Sequence, residues 1–344
     1  MVEVRRTRPW PRYSMVASST LVFFIVGCGI GTISPFPFQD PFLDNYIQVL
    51  SATESSLTCT SMRVRREWRK LSQPQRENYF NAVHCLRKQP AILANGSLFD
   101  DFPYVHKAYG SYSHKSALFL PWHRWFIHLF EEALVTQCGY AGALPYWDWT
   151  LDWEDITKSP VFDPVSGFGG DGDATGEVTV GGGRCVIDGP FAGLEALRFD
   201  ADWAPHCLSR GFLKGKVLRK MCGEDIRPDV VAKVLEKESF EDFMSALEEG
   251  PHIGISTGIR GDWVKFTVPY DPLWYLHHAQ LDRLWWTWQH NALGRALEYD
   301  GRSNNNTSAR AKLSDTMDYG DFVSSMYVRQ VMGTESETLC YRYV

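Results

Sequence analysis

The sequence predicts a mainly α-helical domain with long loops and little β-structure, and two observations carry that prediction. Apolar residues recur at helical spacing in segment after segment. Two of the longest such segments, residues 106–131 (HKAYGSYSHKSALFLPWHRWFIHLFE) and 271–290 (DPLWYLHHAQLDRLWWTWQH), are strongly aromatic and carry histidines. With 344 residues and 44% hydrophobic content the chain can bury one substantial core. Acids and bases are interspersed around a formal charge of -6, so no nucleic-acid partner is expected.

At the N-terminus Arg5, Arg6, Arg8 and Arg12 precede an uncharged apolar run at residues 15–33, the pattern of a signal peptide or signal anchor. A hydrocarbon core takes roughly 17 to 25 residues, and positive charge before the run sends the rest of the chain to the far side. The expected organisation is a cytoplasmic basic tail at 1–14, a single transmembrane helix at 15–33, a Pro-, Ser- and Thr-containing linker at 34–61, and a lumenal or extracellular domain at 62–344. Secretion after cleavage near Gly27 or Gly31 is the alternative. Glycosylation triplets start at Asn95, Asn305 and Asn306. Seven cysteines lie outside the apolar run; an oxidising compartment favours disulfides among them, with one left over and the pairing open.

In the domain itself, residues 62–88 have helical spacing broken near Gln73 and Pro74, where Ser72 is placed to cap a second helix. Residues 100–113 read as loop and short helix delivering His106 and His114, and Pro121 sits in the first turn of a helix carrying His123. Residues 139–153 are aromatic and turn-rich, suited to walling a pocket. The glycine-rich stretch 166–184 lacks a phosphate-loop lysine and reads as surface loop with a short hairpin. An amphipathic helix is expected over 229–248, ending at Gly250 and Pro251 just before His252, then a glycine-punctuated loop and a last long helix from Asp271.

Of ten histidines, the candidate metal ligands are His106, His114, His123, His252 and one of the pair His277/His278; His84 and His128 read as structural. Two groups of imidazoles suggest two metals. Zinc would call for carboxylate or cysteine ligands, and neither HExxH nor CxxC is present, so redox-active copper is the expected cofactor. Asp282, one helical turn after His278, is placed to orient an imidazole from behind, with an ion pair to Arg124 or Arg283 as the alternative.

The segments HKSALFLPWHRWFIHLFEEAL, ALPYWDWT and DPLWYLHHAQLDRLWWTWQ resemble the two copper-binding signatures of the tyrosinase family, the type-3 dicopper proteins that include catechol oxidases and hemocyanins. The compact fungal tyrosinase-like proteins are the most similar branch. The resemblance implies a central four-helix bundle holding two copper ions, with His106, His114 and His123 on CuA, and His252 and His278 on CuB. The second member of the histidine pair is the usual ligand, which places His277 behind it. The family's His-x-x-x-His pair is interrupted at Ser256, so CuB is expected to be weak or empty unless His277 or water completes it. Ile253 stands where members that hydroxylate monophenols often carry asparagine, and Tyr112 stands where fungal members often have a cysteine bonded to the histidine ring. By the same resemblance Glu249 is the candidate carboxylate for proton handling, with a solvated helix end as the alternative, and Trp274 is expected to be an aromatic gate over CuB. The implied activity is oxidation of a phenol, catechol or peptide tyrosine by dioxygen to a quinone-type product, in fungal secondary metabolism. The alternative is a non-catalytic, copper-poor binding protein.

Overall fold

From its first strand the chain runs β1 (Arg63–Arg65), α1 (Gln73–Leu86), α2 (Leu98–Ser113), α3 (Phe119–Cys138), β2 (Arg184–Cys185), β3 (Glu195–Phe199), β4 (Asp202–Cys207), β5 (Ser209–Arg210), α4 (Pro228–Leu235), α5 (Phe240–Leu247), α6 (Ile253–Ile259), α7 (Leu273–His290), β6 (Thr316–Met317), β7 (Met326–Tyr327) and β8 (Tyr341–Tyr343). The computed structural model describes residues 59, 61–93, 95–213 and 223–344. The chain divides into two units, Met1–Thr53 and Glu54–Val344. The first, which contains the basic tail and the apolar run, lies outside the described residues, as does most of the 34–61 linker.

Helices α1, α2, α3 and α7 form the centre, with α3 packed against both α1 and α7. At the start of α1 the Ser72 N–H donates to Gln75 Oε1 at 2.8 Å, with Pro74 in the first turn where no N–H is needed. Helix α2 is longer than expected. The Ser97 N–H donates to Asp100 Oδ2 at 2.7 Å, and Phe99, Phe102 and His106 place one buried stripe along it, which carries the helix through Pro103. Helix α3 buries Phe119, His123, Phe126 and Phe130 on the same principle and stops at Gly139 (φ 64), a left-handed position that closes the last turn. Phe130 stacks on Tyr275 of α7 with ring centroids 3.5 Å apart.

Several local expectations are corrected. Residues 63–65 form a strand, not a helix, because β1 pairs in parallel with β8, Arg63 opposite Tyr341 and Arg65 opposite Tyr343. The expected helix over 229–248 is two, since Ser239 caps α5 by accepting the Asp242 N–H at 3.1 Å. A π turn, Glu248–His252, then feeds α6, where loop was expected. The hairpin is β3–β4, beyond the glycine-rich stretch.

The described fold is helix-rich, but the expected fold class is wrong in one respect. Among the described residues no helix is long and apolar enough to cross a membrane, so the expected transmembrane helix is not supported there, and residues 15–33, where it was placed, lie outside the described residues. Disulfides join Cys59 to Cys340, Cys85 to Cys138, and Cys185 to Cys207. The remaining cysteine of the seven, Cys222, lies outside the described residues.

Candidate metal centre

Three buried histidines converge from α2 and α3: His106 on the inner face of α2, His114 just past its end, and His123 one turn into α3. Each has one ring nitrogen committed to a backbone carbonyl. Nδ1 of His106 faces the Phe266 carbonyl at 2.5 Å, that of His114 the Gly110 carbonyl at 2.8 Å, and that of His123 the Phe119 carbonyl at 2.7 Å. A carbonyl only accepts, so Nδ1 carries the proton and Nε2 keeps its lone pair for a metal. Nε2 of His106 and of His123 are 3.1 Å apart, the separation expected of two nitrogens that each reach one ion over about 2.0 Å. Burial, with the neighbouring imidazole of His114, pulls His106 down to about 3; burial takes His114 to about 4 and His123 well below its ordinary value. All three are therefore neutral, metal-ready ligands at neutral pH.

The support for His106 depends on a glycine. A side-chain carbon at Gly110 would come within 2.5 Å of the Phe266 ring, and the carbonyl of Phe266 is the one that fixes His106. Gly110→Ala is expected to displace that segment and weaken metal binding at this triad roughly 10- to 100-fold, the usual result of losing an outer support, measured by competition with a chelator.

A second triad comprises His252, at the end of the π turn, with His277 and His278 of α7; their ligand atoms lie within 4.8 Å of one another, as do those of the first triad. It faces the first. The His123 and His278 rings stack with centroids 4.5 Å apart, and His114 and His252 are 5.5 Å apart. Phe119 lies between the groups, 5.0 Å from both His123 and His252. Neither ring nitrogen of His277 or of His278 has a hydrogen-bond partner, although both rings are buried. Leaving such groups unpaired costs roughly 1–3 kcal/mol each, and a metal ion bound there offsets that cost. Burial lowers His277 to about 3 and His252 and His278 well below the ordinary range, so this donor set too is neutral nitrogen, which fits copper. His277, expected to stand behind the ligands, is thus brought in among them.

Other expected site residues are placed differently. Asp282 does not support an imidazole; it accepts from Arg124 Nε at 2.5 Å and from the hydroxyls of Tyr341 and Tyr343 at 2.6 Å each, the ion-pair alternative. Trp274 is only 1% exposed and packs 4.0 Å from His278 and 4.8 Å from His106, which makes it an inner wall of the site and not a gate. Glu249 is exposed. The inward carboxylate is Glu248, missed by sequence reasoning because the π turn shifts the register. Both its oxygens accept the Lys115 N–H, at 2.9 and 3.0 Å, tying the segment after His114 to the turn that carries His252. Burial, aided by the charge of Glu249, pushes Glu248 up to about 7. Asn95 and Asn306 are exposed and Asn305 is half-buried.

Two facing triads of neutral histidines in a helical core make a donor set that could hold two metal ions. Residues 96–291 match the common central domain of tyrosinase. Tyrosinase ustQ from Aspergillus flavus is 44% identical over 302 residues, covering 86% of this chain and 84% of that protein. Tyrosinase-like protein phomQ2 from Diaporthe leptostromiformis is 43% identical over 288 residues, 83% of this chain and 74% of that one. A polyphenol oxidase from Thermothelomyces thermophila has a similar structure, with a TM-score of 0.71 and 31% identity over 88% of this chain and 94% of that one. The chain belongs to the tyrosinase family.

Proposed function

We propose that the protein is a copper-dependent oxidase that uses dioxygen to convert a phenol, a catechol or a tyrosine within a peptide to a quinone-type product, in fungal secondary metabolism. The observation that carries this reading is the pair of histidine triads facing each other across stacked rings. When bound there, copper supplies the redox chemistry, cycling between Cu(I) and Cu(II) to pass electrons from the phenol to dioxygen.

The chain's own residues hold and shape that site. Carbonyls of Gly110, Phe119 and Phe266 fix the first three imidazoles in one tautomer. Glu248 fastens the two ligand-bearing segments to each other, and Trp274 and Phe119 exclude water from beneath the rings. Ile253, beside His252, is 44% exposed and offers no amide to orient a water for monophenol hydroxylation. Catechols are therefore the better substrates. Three disulfides support export into an oxidising compartment, and the exposed Asn95 and Asn306 are the proposed glycosylation sites.

The test is oxygen uptake by the copper-loaded chain with a panel of catechols, monophenols and tyrosine peptides. Uptake with catechols, abolished by chelation and faster than with matched monophenols, is expected. No uptake from protein carrying two coppers would overturn the oxidase reading. Ser256 favours a second reading, a copper-poor binding protein, for which metal analysis would return one copper or none.

A further inference from the structure

We infer that His277 takes the place of the absent histidine at the second copper site, so that the adjacent pair His277 and His278 completes the ligand set with His252. This rests on the copper reading above. The position four after His252 is Ser256, whose hydroxyl donates to the His252 carbonyl at 3.2 Å and is committed to its own helix. A neutral hydroxyl is a poor partner for a copper ion that favours imidazole.

Neighbouring residues on an α-helix point about 100° apart, so one member of a histidine pair commonly faces away from whatever the other touches. Here both meet His252. The His278 ring lies 5.3 Å from it at an interplanar angle of 78°, and the His277 ring lies 5.7 Å from it, nearly parallel at 15°. His278 also stacks on His123, which puts it on the side of the second triad that faces the first. His277 has Trp149 and Trp263 as its other aromatic neighbours, at 6.4 and 5.6 Å, and so closes the second site on the side away from the first. It is 0% exposed with both nitrogens unpartnered. An imidazole kept there for packing alone would leave a donor and an acceptor stranded in the core, which folded proteins avoid. Coordination gives one of them its partner.

The experiment is copper analysis of the full chain after reconstitution and removal of loosely bound metal, with thermal unfolding of the metal-free and loaded forms. Three proteins are compared: wild type, His277→Phe, which keeps a ring and removes both nitrogens, and His277→Phe combined with Ser256→His. Wild type is expected to hold about two coppers, His277→Phe about one, and the double variant about two again. The metal-free His277→Phe protein should melt no lower than metal-free wild type, while its copper-induced rise in Tm shrinks. Should His277→Phe fail to fold, His277→Asn is measured in the same way. Two coppers retained in a folded His277 variant would overturn the ligand assignment and leave the dicopper reading standing. A single copper that Ser256→His does not restore would mean that the ring acts by packing, and would also overturn it. Wild type holding one copper or none would overturn the assignment together with the dicopper reading.

Discussion

His123→Ala is expected to leave the protein with no more than one tightly held copper and to reduce catechol-dependent oxygen uptake by more than about a hundredfold. Losing an outer support of a ligand typically costs 10- to 100-fold, and His123 is nearer the metal than that. Its Nε2 lies 3.1 Å from that of His106, and its ring is stacked on His278 of the opposite triad, so the substitution removes a ligand from one site and a wall from the other. Metal analysis and an oxygen electrode read the two effects. The cavity left behind costs roughly 2–5 kcal/mol, so circular dichroism of the metal-free variant is the control that separates lost metal from lost fold.

Asp282→Ala should produce the largest loss of stability of any single substitution outside the metal centre. The carboxylate is 3% exposed and receives Arg124, Arg65, Tyr341 and Tyr343, with both arginines fully buried. Removing it leaves the buried Arg124 without its carboxylate and both tyrosine hydroxyls without this acceptor, while Arg65 keeps Glu131; deleting one partner of a buried pair costs about 3–5 kcal/mol. At roughly 2–4 °C per kcal/mol, Tm should fall by about 6–20 °C. Burial works to raise the pKa of Asp282, but Arg124, Arg65 and the two tyrosine hydroxyls outweigh it and hold it below its ordinary value. Its contribution is therefore present above the unfolded-state value near 3.9 and is lost as pH falls through the lower folded-state value. Asp282→Asn should remove that part of the acid sensitivity, read as a flatter dependence of Tm on pH below about 4.

What was legible in the sequence was local. His106, His114 and His123 are close together in the chain, on a helix, a bend and a helix whose apolar spacing is plain, and the structure assembles them accordingly. The second triad was harder to read. Helical geometry argues that His277 points away from a metal bound by His278, and only the approach of His252 on the π turn shows that both rings share one space. The same turn exchanged Glu249 for Glu248, because one extra residue per turn rotates everything that follows. The pairing of Asp282 with Arg124 was one of the two alternatives the sequence offered, but its other partners were hidden for a different reason. Arg65 and Tyr343 lie hundreds of residues apart in the chain, and no periodicity announces that a strand beginning at Arg63 finds its neighbour at Tyr341.

That strand pair gives the two edges of the described domain an unusual mechanical status. Peripheral strands of two or three residues ordinarily fray at little cost. Here Arg65 of one and Tyr341 and Tyr343 of the other all reach the carboxylate of Asp282 on α7, and Arg65 also binds Glu131 on α3. Peeling either edge away would expose an ion cluster in the middle of the protein, so the margins of this domain open only when its interior does.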